Sequence, residues 1–120
     1  MGLDMYAMTI DHAPARPVDF ETREAVELHY WRKHPNLHGW MQGLYGEKGG
    51  TQNFNCTPVL LTVDDLDRLE ADVRTGNLPH TSGFFFGETD GSETDDDLAF
   101  IAKARAAIAD GKTVFYDSWW

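Results

Sequence analysis

A chain of 120 residues fits one domain, and a domain of this size buries roughly two-thirds of the surface its unfolded form exposes, enough for a core without staples. With 42% apolar and 12% aromatic residues it is not disordered by composition, and apolar runs such as Pro58-Val59-Leu60-Leu61 fall far short of the ~20 residues of a membrane-spanning helix. Ten Lys and Arg against twenty Asp and Glu leave a net charge of −10, which repels nucleic-acid phosphate and leaves solubility, or a basic protein partner, as the meaning of the charge.

Residues 2–10 mix β-formers with methionine and predict a first strand. Residues 12–22, punctuated by Pro14, Pro17 and Asp19, predict a loop. Over residues 25–31, Val26, Leu28 and Tyr30 alternate with Glu27, His29 and Trp31, the period of a strand with one buried face. Pro35 suits a helix start, because its missing N–H costs nothing in the first turn, and Leu37, Trp40, Met41 and Leu44 recur behind it at steps of three and four until Gly49-Gly50. Residues 56–62 predict another strand. Thr62 then caps a helix with Asp64 and Asp65 at its positive end, Leu66, Leu69 and Val73 on its buried stripe and Gly76-Asn77 as its stop. Residues 82–87 read as a short aromatic strand. Thr94 opens a last helix with Asp95, Asp96 and Asp97 in the first turn, and Leu98, Ile101, Arg105 and Ile108 along one face. Residues 112–120 predict a closing strand whose paired tryptophans, Trp119 and Trp120, point to opposite faces and dock that end of the chain. Strands and helices alternate only loosely, so the expected fold is α+β: a single domain over residues 1–120, with a mixed or antiparallel sheet and about three helices.

Cys56 is the lone cysteine, so no internal disulfide can form. No basic region followed by a long apolar stretch opens the chain, and Tyr6 stands where a myristoylation motif needs Ser or Thr. The expected location is the cytoplasm.

The segment 30–40 holds the densest set of functional side chains. Arg32 offers a planar fork for carboxylate or phosphate, His38 can move a proton near neutral pH, and Asn36 can orient either. With Asp4 and Cys56 these are the candidate catalytic residues. Against that, Trp31 and Trp40 can simply anchor a core whose rim the cations solvate. His29, His34 and His38 fall at no consistent helical spacing with a carboxylate, so neither a metal nor another cofactor is expected. Cys56 needs a neighbouring base to act as a nucleophile, and no Gly-x-Ser-x-Gly or phosphate-binding loop is present. Residues 88–97 carry Glu88, Asp90, Glu93, Asp95, Asp96 and Asp97 without one base. Their spacing does not suit calcium, and they form either a solvated helix start or the binding surface for a basic partner.

Six stretches carry a resemblance across most of the chain: residues 1–6, Tyr30-Trp31-Arg32-Lys33, His38 with Trp40, Asn55-Cys56, residues 81–87 and residues 116–119. Together they resemble a family of small phage and bacterial-genome proteins without established activity, often labelled phosphoglycerate kinase. That label does not suit this chain. The enzyme of that name has two domains and several times the length, and its nucleotide-binding glycine pattern is missing here. The chain departs from the family pattern at His34-Pro35 and in the acidic run from Glu88.

These observations lead to an expected phage or prophage accessory protein that binds another protein, with no nucleic acid and no membrane involved. The rival is a small enzyme or ligand-binding domain with a pocket around Arg32, Asn36 and His38. A third reading is a domain that forms a homodimer through its aromatic strand ends. Convergence of Arg32, Asn36, His38 and Asp4 on one cleft separates the first two.

Overall fold

A left-handed residue at Lys33, φ 55°, ends one extended run and turns the chain directly into the helix that Pro35 begins. That strand-to-helix turn is one of several joints in the chain, whose computed structural model describes residues 2–22, 24–83, 87 and 89–120. Among these residues the elements run β1 (Asp4–Ile10), β2 (Val26–Arg32), α1 (Pro35–Glu47), β3 (Val59–Leu61), α2 (Val63–Thr75), α3 (Thr94–Ala109) and β4 (Thr113–Trp119). The strands make one antiparallel sheet in the order β2-β1-β4-β3, so the fold is the expected α+β domain.

The main core lies between the sheet and the helices. Met5 and Ala7 of β1, Trp31 of β2, Val114 and Tyr116 of β4 and Val59 and Leu61 of β3 meet Leu37, Met41 and Leu44 of α1, Leu66 and Leu69 of α2, and Phe100, Ile101 and Ala104 of α3. The opposite face is covered only in part. Val18 bridges Val59 at the sheet edge, and on the opposite face Phe20 packs edge-on to Phe115 with ring centres 5.3 Å apart. Tyr6, Met8, Tyr30 and Asp117 remain on an open sheet face.

Helix α2 is specified locally. The Thr62 hydroxyl accepts the Asp65 N–H at 3.2 Å, the Asp65 carboxylate accepts the Thr62 N–H at 2.9 Å, and Gly76 closes the helix at φ 70°. Leu66, Leu69 and Val73 are its buried stripe, as their spacing predicts.

Strand β2 has one buried face, as its alternation predicts, with His29 and Trp31 buried and Val26 and Tyr30 exposed. A bulge interrupts the alternation: Ala7 pairs with His29 but Met8 pairs with Glu27, so Leu28 is the extra residue and Glu27 turns to the face opposite His29. Two expectations are corrected. Strand β3 is only three residues long, because Cys56 sits at φ 59° and Pro58 cannot donate to a ladder. Helix α3 buries Asp97, Phe100, Ile101 and Ala104, and Arg105 instead pairs with Glu70 and Asp67 of α2. The predicted strand at residues 82–87 rests on Phe84, Phe85 and Phe86, which lie outside the described residues.

The closing tryptophans divide as expected. Trp120 packs against the core and exchanges hydrogen bonds with Asn55, its N–H reaching Asn55 Oδ1 at 3.1 Å, while Trp119 is 67% exposed.

Candidate functional site

The sheet separates the residues that the sequence singles out. Asp4 and Arg32 stand opposite one another on the open face, with Arg32 Nε 3.7 Å from Asp4 Oδ1 and the Tyr30 hydroxyl donating to the same oxygen at 2.6 Å. Asn36 occupies the first turn of α1, where its side-chain oxygen accepts the Thr81 N–H at 3.0 Å. His38 lies on the other side of the sheet, 1% exposed, with Nδ1 2.7 Å from the Tyr116 hydroxyl. Burial lowers its pKa from 6.5 to about 4, so the ring is neutral at physiological pH. Burial also pushes the Tyr116 hydroxyl well above the ordinary tyrosine range. Cys56 is exposed beside Asn55, and partial burial together with the charge of Asp117 raises its pKa, the reverse of what a nucleophilic thiol requires. Arg32, Asn36, His38 and Asp4 therefore do not share a cleft.

The acidic run is also divided. Glu88 lies outside the described residues. Asp90 caps a turn by accepting the Ser92 N–H at 2.9 Å and the Ser92 hydroxyl at 2.6 Å, bonds that hold its pKa at about 2. Asp95 is exposed, and Asp96 meets His29 Nε2 at 3.0 Å while Lys103 reaches the other ring nitrogen at 3.1 Å. Asp97 is 1% exposed, so its side chain belongs to no docking surface. Its two oxygens take His34 Nε2 at 2.8 Å and the Trp31 indole N–H at 3.0 Å.

His34, which the sequence offers only as a rejected metal ligand, is thus the centre of a polar cluster. Its Nδ1 faces the Thr89 hydroxyl at 2.9 Å, and that oxygen accepts the Asn36 N–H at 3.1 Å at the start of α1. Glu93 Oε2, buried without a hydrogen-bond partner, lies 3.6 Å from the same ring nitrogen. His34, Asn36, Thr89, Glu93 and Asp97 line a cavity of 180 Å³. The order carboxylate, imidazole, hydroxyl is that of an activated nucleophile, but the Thr89 hydroxyl is already engaged by the Asn36 N–H in the first turn of α1.

The open face holds the second cluster. Across β2, β1 and β4 the rows are Arg32–Asp4–Trp119, Tyr30–Tyr6–Asp117 and Glu27–Met8–Phe115. The Tyr6 and Tyr30 rings lie 5.3 Å apart, and Tyr30 is 43% exposed. Tyr6, Met8, Phe115, Glu27 and Asp117 line a shallow pocket of 270 Å³. Desolvation, with the charges of Asp4 and Glu27, raises the Tyr6 pKa. Burial likewise raises that of Asp117, whose carboxylate accepts the Ser118 N–H at 2.8 Å. Only the bulge at Leu28 brings Glu27 to this face, and a strict alternation of two does not foresee it.

Among the described residues no three His, Cys, Asp or Glu side chains gather as a metal site, and no helix is long and apolar enough to cross a membrane. No family model, curated protein or solved structure matches the chain.

Proposed function

We propose that the protein is a non-enzymatic accessory factor of a phage or prophage that acts in the bacterial cytoplasm by binding a basic protein through the open face of its sheet. The observation that carries this reading is the pair of adjacent rows on that face, Tyr30–Tyr6 and Arg32–Asp4–Trp119, with Trp119 67% exposed. Tyr, Trp and Arg are the side chains that dominate binding energy at protein interfaces, because they bury large area at little entropic cost and keep a polar end. A net charge of −10 steers a basic partner toward the domain. Affinity capture from host lysate with the parent and with a Tyr30→Ala, Trp119→Ala variant tests the reading. A basic protein held by the parent and lost by the variant is expected. Equal retention by both, or no captured protein, contradicts it.

A second reading, a small-ligand or hydrolytic site, is favoured by the 180 Å³ cavity around His34, Asn36 and Thr89. Covalent labelling by a fluorophosphonate that vanishes in Thr89→Ala would support it, and an unlabelled parent would remove it.

A further inference from the structure

We propose that the pocket between Glu27 and Asp117 takes an arginine side chain of the basic partner, a reading that rests on protein binding through the open face.

Two carboxylates border the pocket from opposite sides. Glu27 approaches from β2 and Asp117 from β4, with β1 between them, so their backbones stand two interstrand spacings apart, roughly 10 Å laterally. Among the described residues neither meets a cation. Arg32 is engaged one or more rows away with Asp4, and the sole hydrogen bond to Asp117 comes from the neighbouring Ser118 N–H. Among the described residues the pocket is therefore bordered by two carboxylates without a paired cation, unlike Asp65, which meets Lys48.

The walls between these charges are Tyr6, Met8 and Phe115. An aromatic wall with flanking carboxylates suits a guanidinium better than an ammonium. The planar cation is weakly hydrated, stacks on a ring face and can donate in two directions at once, while its methylene stem covers apolar surface such as Met8. The raised pKa of Asp117 agrees with a carboxylate that lacks a counter-charge, and a guanidinium beside it would bring that pKa down.

The test titrates N-acetyl-arginine amide into the full chain and follows backbone amide signals by NMR, with N-acetyl-citrulline amide as the uncharged control. Saturable shifts centred on Tyr6, Met8, Glu27 and Asp117 are expected with arginine and not with citrulline. Glu27→Gln, an exposed position on an edge strand, should weaken the arginine response about fivefold without unfolding the domain, and Asp117→Asn should weaken it as well. Shifts that are the same with citrulline, that centre on residues 90–96, or that survive both substitutions would overturn the assignment. If arginine leaves the pocket unshifted while Trp119-dependent capture persists, the pocket is wrong and protein binding stands. A saturable arginine site without any captured protein overturns protein binding instead.

Discussion

The two faces of the sheet treat polar groups in opposite ways. Under the helices, His34, His38, Asp97 and Tyr116 are buried, and each meets a partner from another element: His34 with Asp97, His38 with Tyr116, and Asp97 with Trp31 as well. On the open face Glu27 and Asp117 meet no cation among the described residues, and Tyr30 and Trp119 stand in solvent. A polar group satisfied inside the core costs little to keep but is costly to strip of its partner, whereas an unsatisfied one at the surface is free to take a ligand. Polar residues whose roles look alike in the sequence thus hold the fold on one side and remain available on the other.

The largest test of this contrast is Asp97→Ala beside Asp95→Ala. Removing Asp97 leaves His34 and the Trp31 indole N–H buried without this acceptor, and each buried group left unsatisfied costs about 1–3 kcal/mol, on top of the other. Asp95, two residues earlier and exposed, contributes through the helix dipole alone, so its loss should cost under about 1 kcal/mol. Urea unfolding of the two variants measures the difference, and similar losses would show that the Asp97 cluster does not stabilise the fold.

Next in size is a pH effect from His38. Its folded pKa of about 4 lies below the ordinary 6.5, so as pH falls the unfolded chain takes up the proton first. The folded state should therefore lose stability between pH 6.5 and 4, by about 3 kcal/mol once pH passes below the folded value, and no more thereafter. Because other groups titrate in the same range, the comparison is between the parent and His38→Gln, whose stability should fall less steeply across that window. Parallel curves would mean that the ring takes up its proton as readily in the fold as in the unfolded chain.

Much of the fold is legible in the sequence where the cause is local. The capping box of Thr62 and Asp65, the stripe of Leu66, Leu69 and Val73 and the stop at Gly76 all lie within one helix, and so they can be read from spacing. The start of α1 at Pro35 is legible for the same reason. What the sequence hides is non-local. Asp97 reads as one more acid in a solvated run because its partners His34 and Trp31 lie 63 and 66 residues away. The bulge at Leu28 depends on how β1 pairs with β2, so the plain alternation of this strand groups Glu27 with His29 and Trp31 and conceals it as a pocket residue. Among the named candidates, only Asp4 and Arg32 are brought together, and that pairing needs the same strand register.

A smaller effect separates two tyrosine hydroxyls. Tyr116→Phe takes a buried hydroxyl away from His38, and Tyr30→Phe takes a partly exposed one away from Asp4. Stripping a buried polar atom of its partner costs about 1–3 kcal/mol, while water can replace the bond at the surface, so the Tyr30 change should cost under about 1 kcal/mol. Thermal or urea midpoints decide this, and an equal loss at the two sites would erase the distinction between the faces.

The smallest expected change in stability belongs to Trp119→Ala, and its smallness is the point. A tryptophan usually ranks among the most costly residues to truncate, at about 3–5 kcal/mol in a core. Trp119 is 67% exposed, and its neighbour in the sheet is Asp4 rather than an apolar side chain. The last turn of the strand is held independently, because Trp120 carries the hydrogen bonds to Asn55 and Phe54. Removing the Trp119 indole should therefore shift the unfolding free energy by no more than about 0.5 kcal/mol, as for an ordinary surface substitution. The same variant should lose the captured partner, since a large aromatic left in water at rest gains its area only when something covers it. Urea unfolding and capture measured on one preparation give both numbers. A fall in stability comparable to that of a core tryptophan would make Trp119 a packing residue, and the open face would then lose its most exposed anchor.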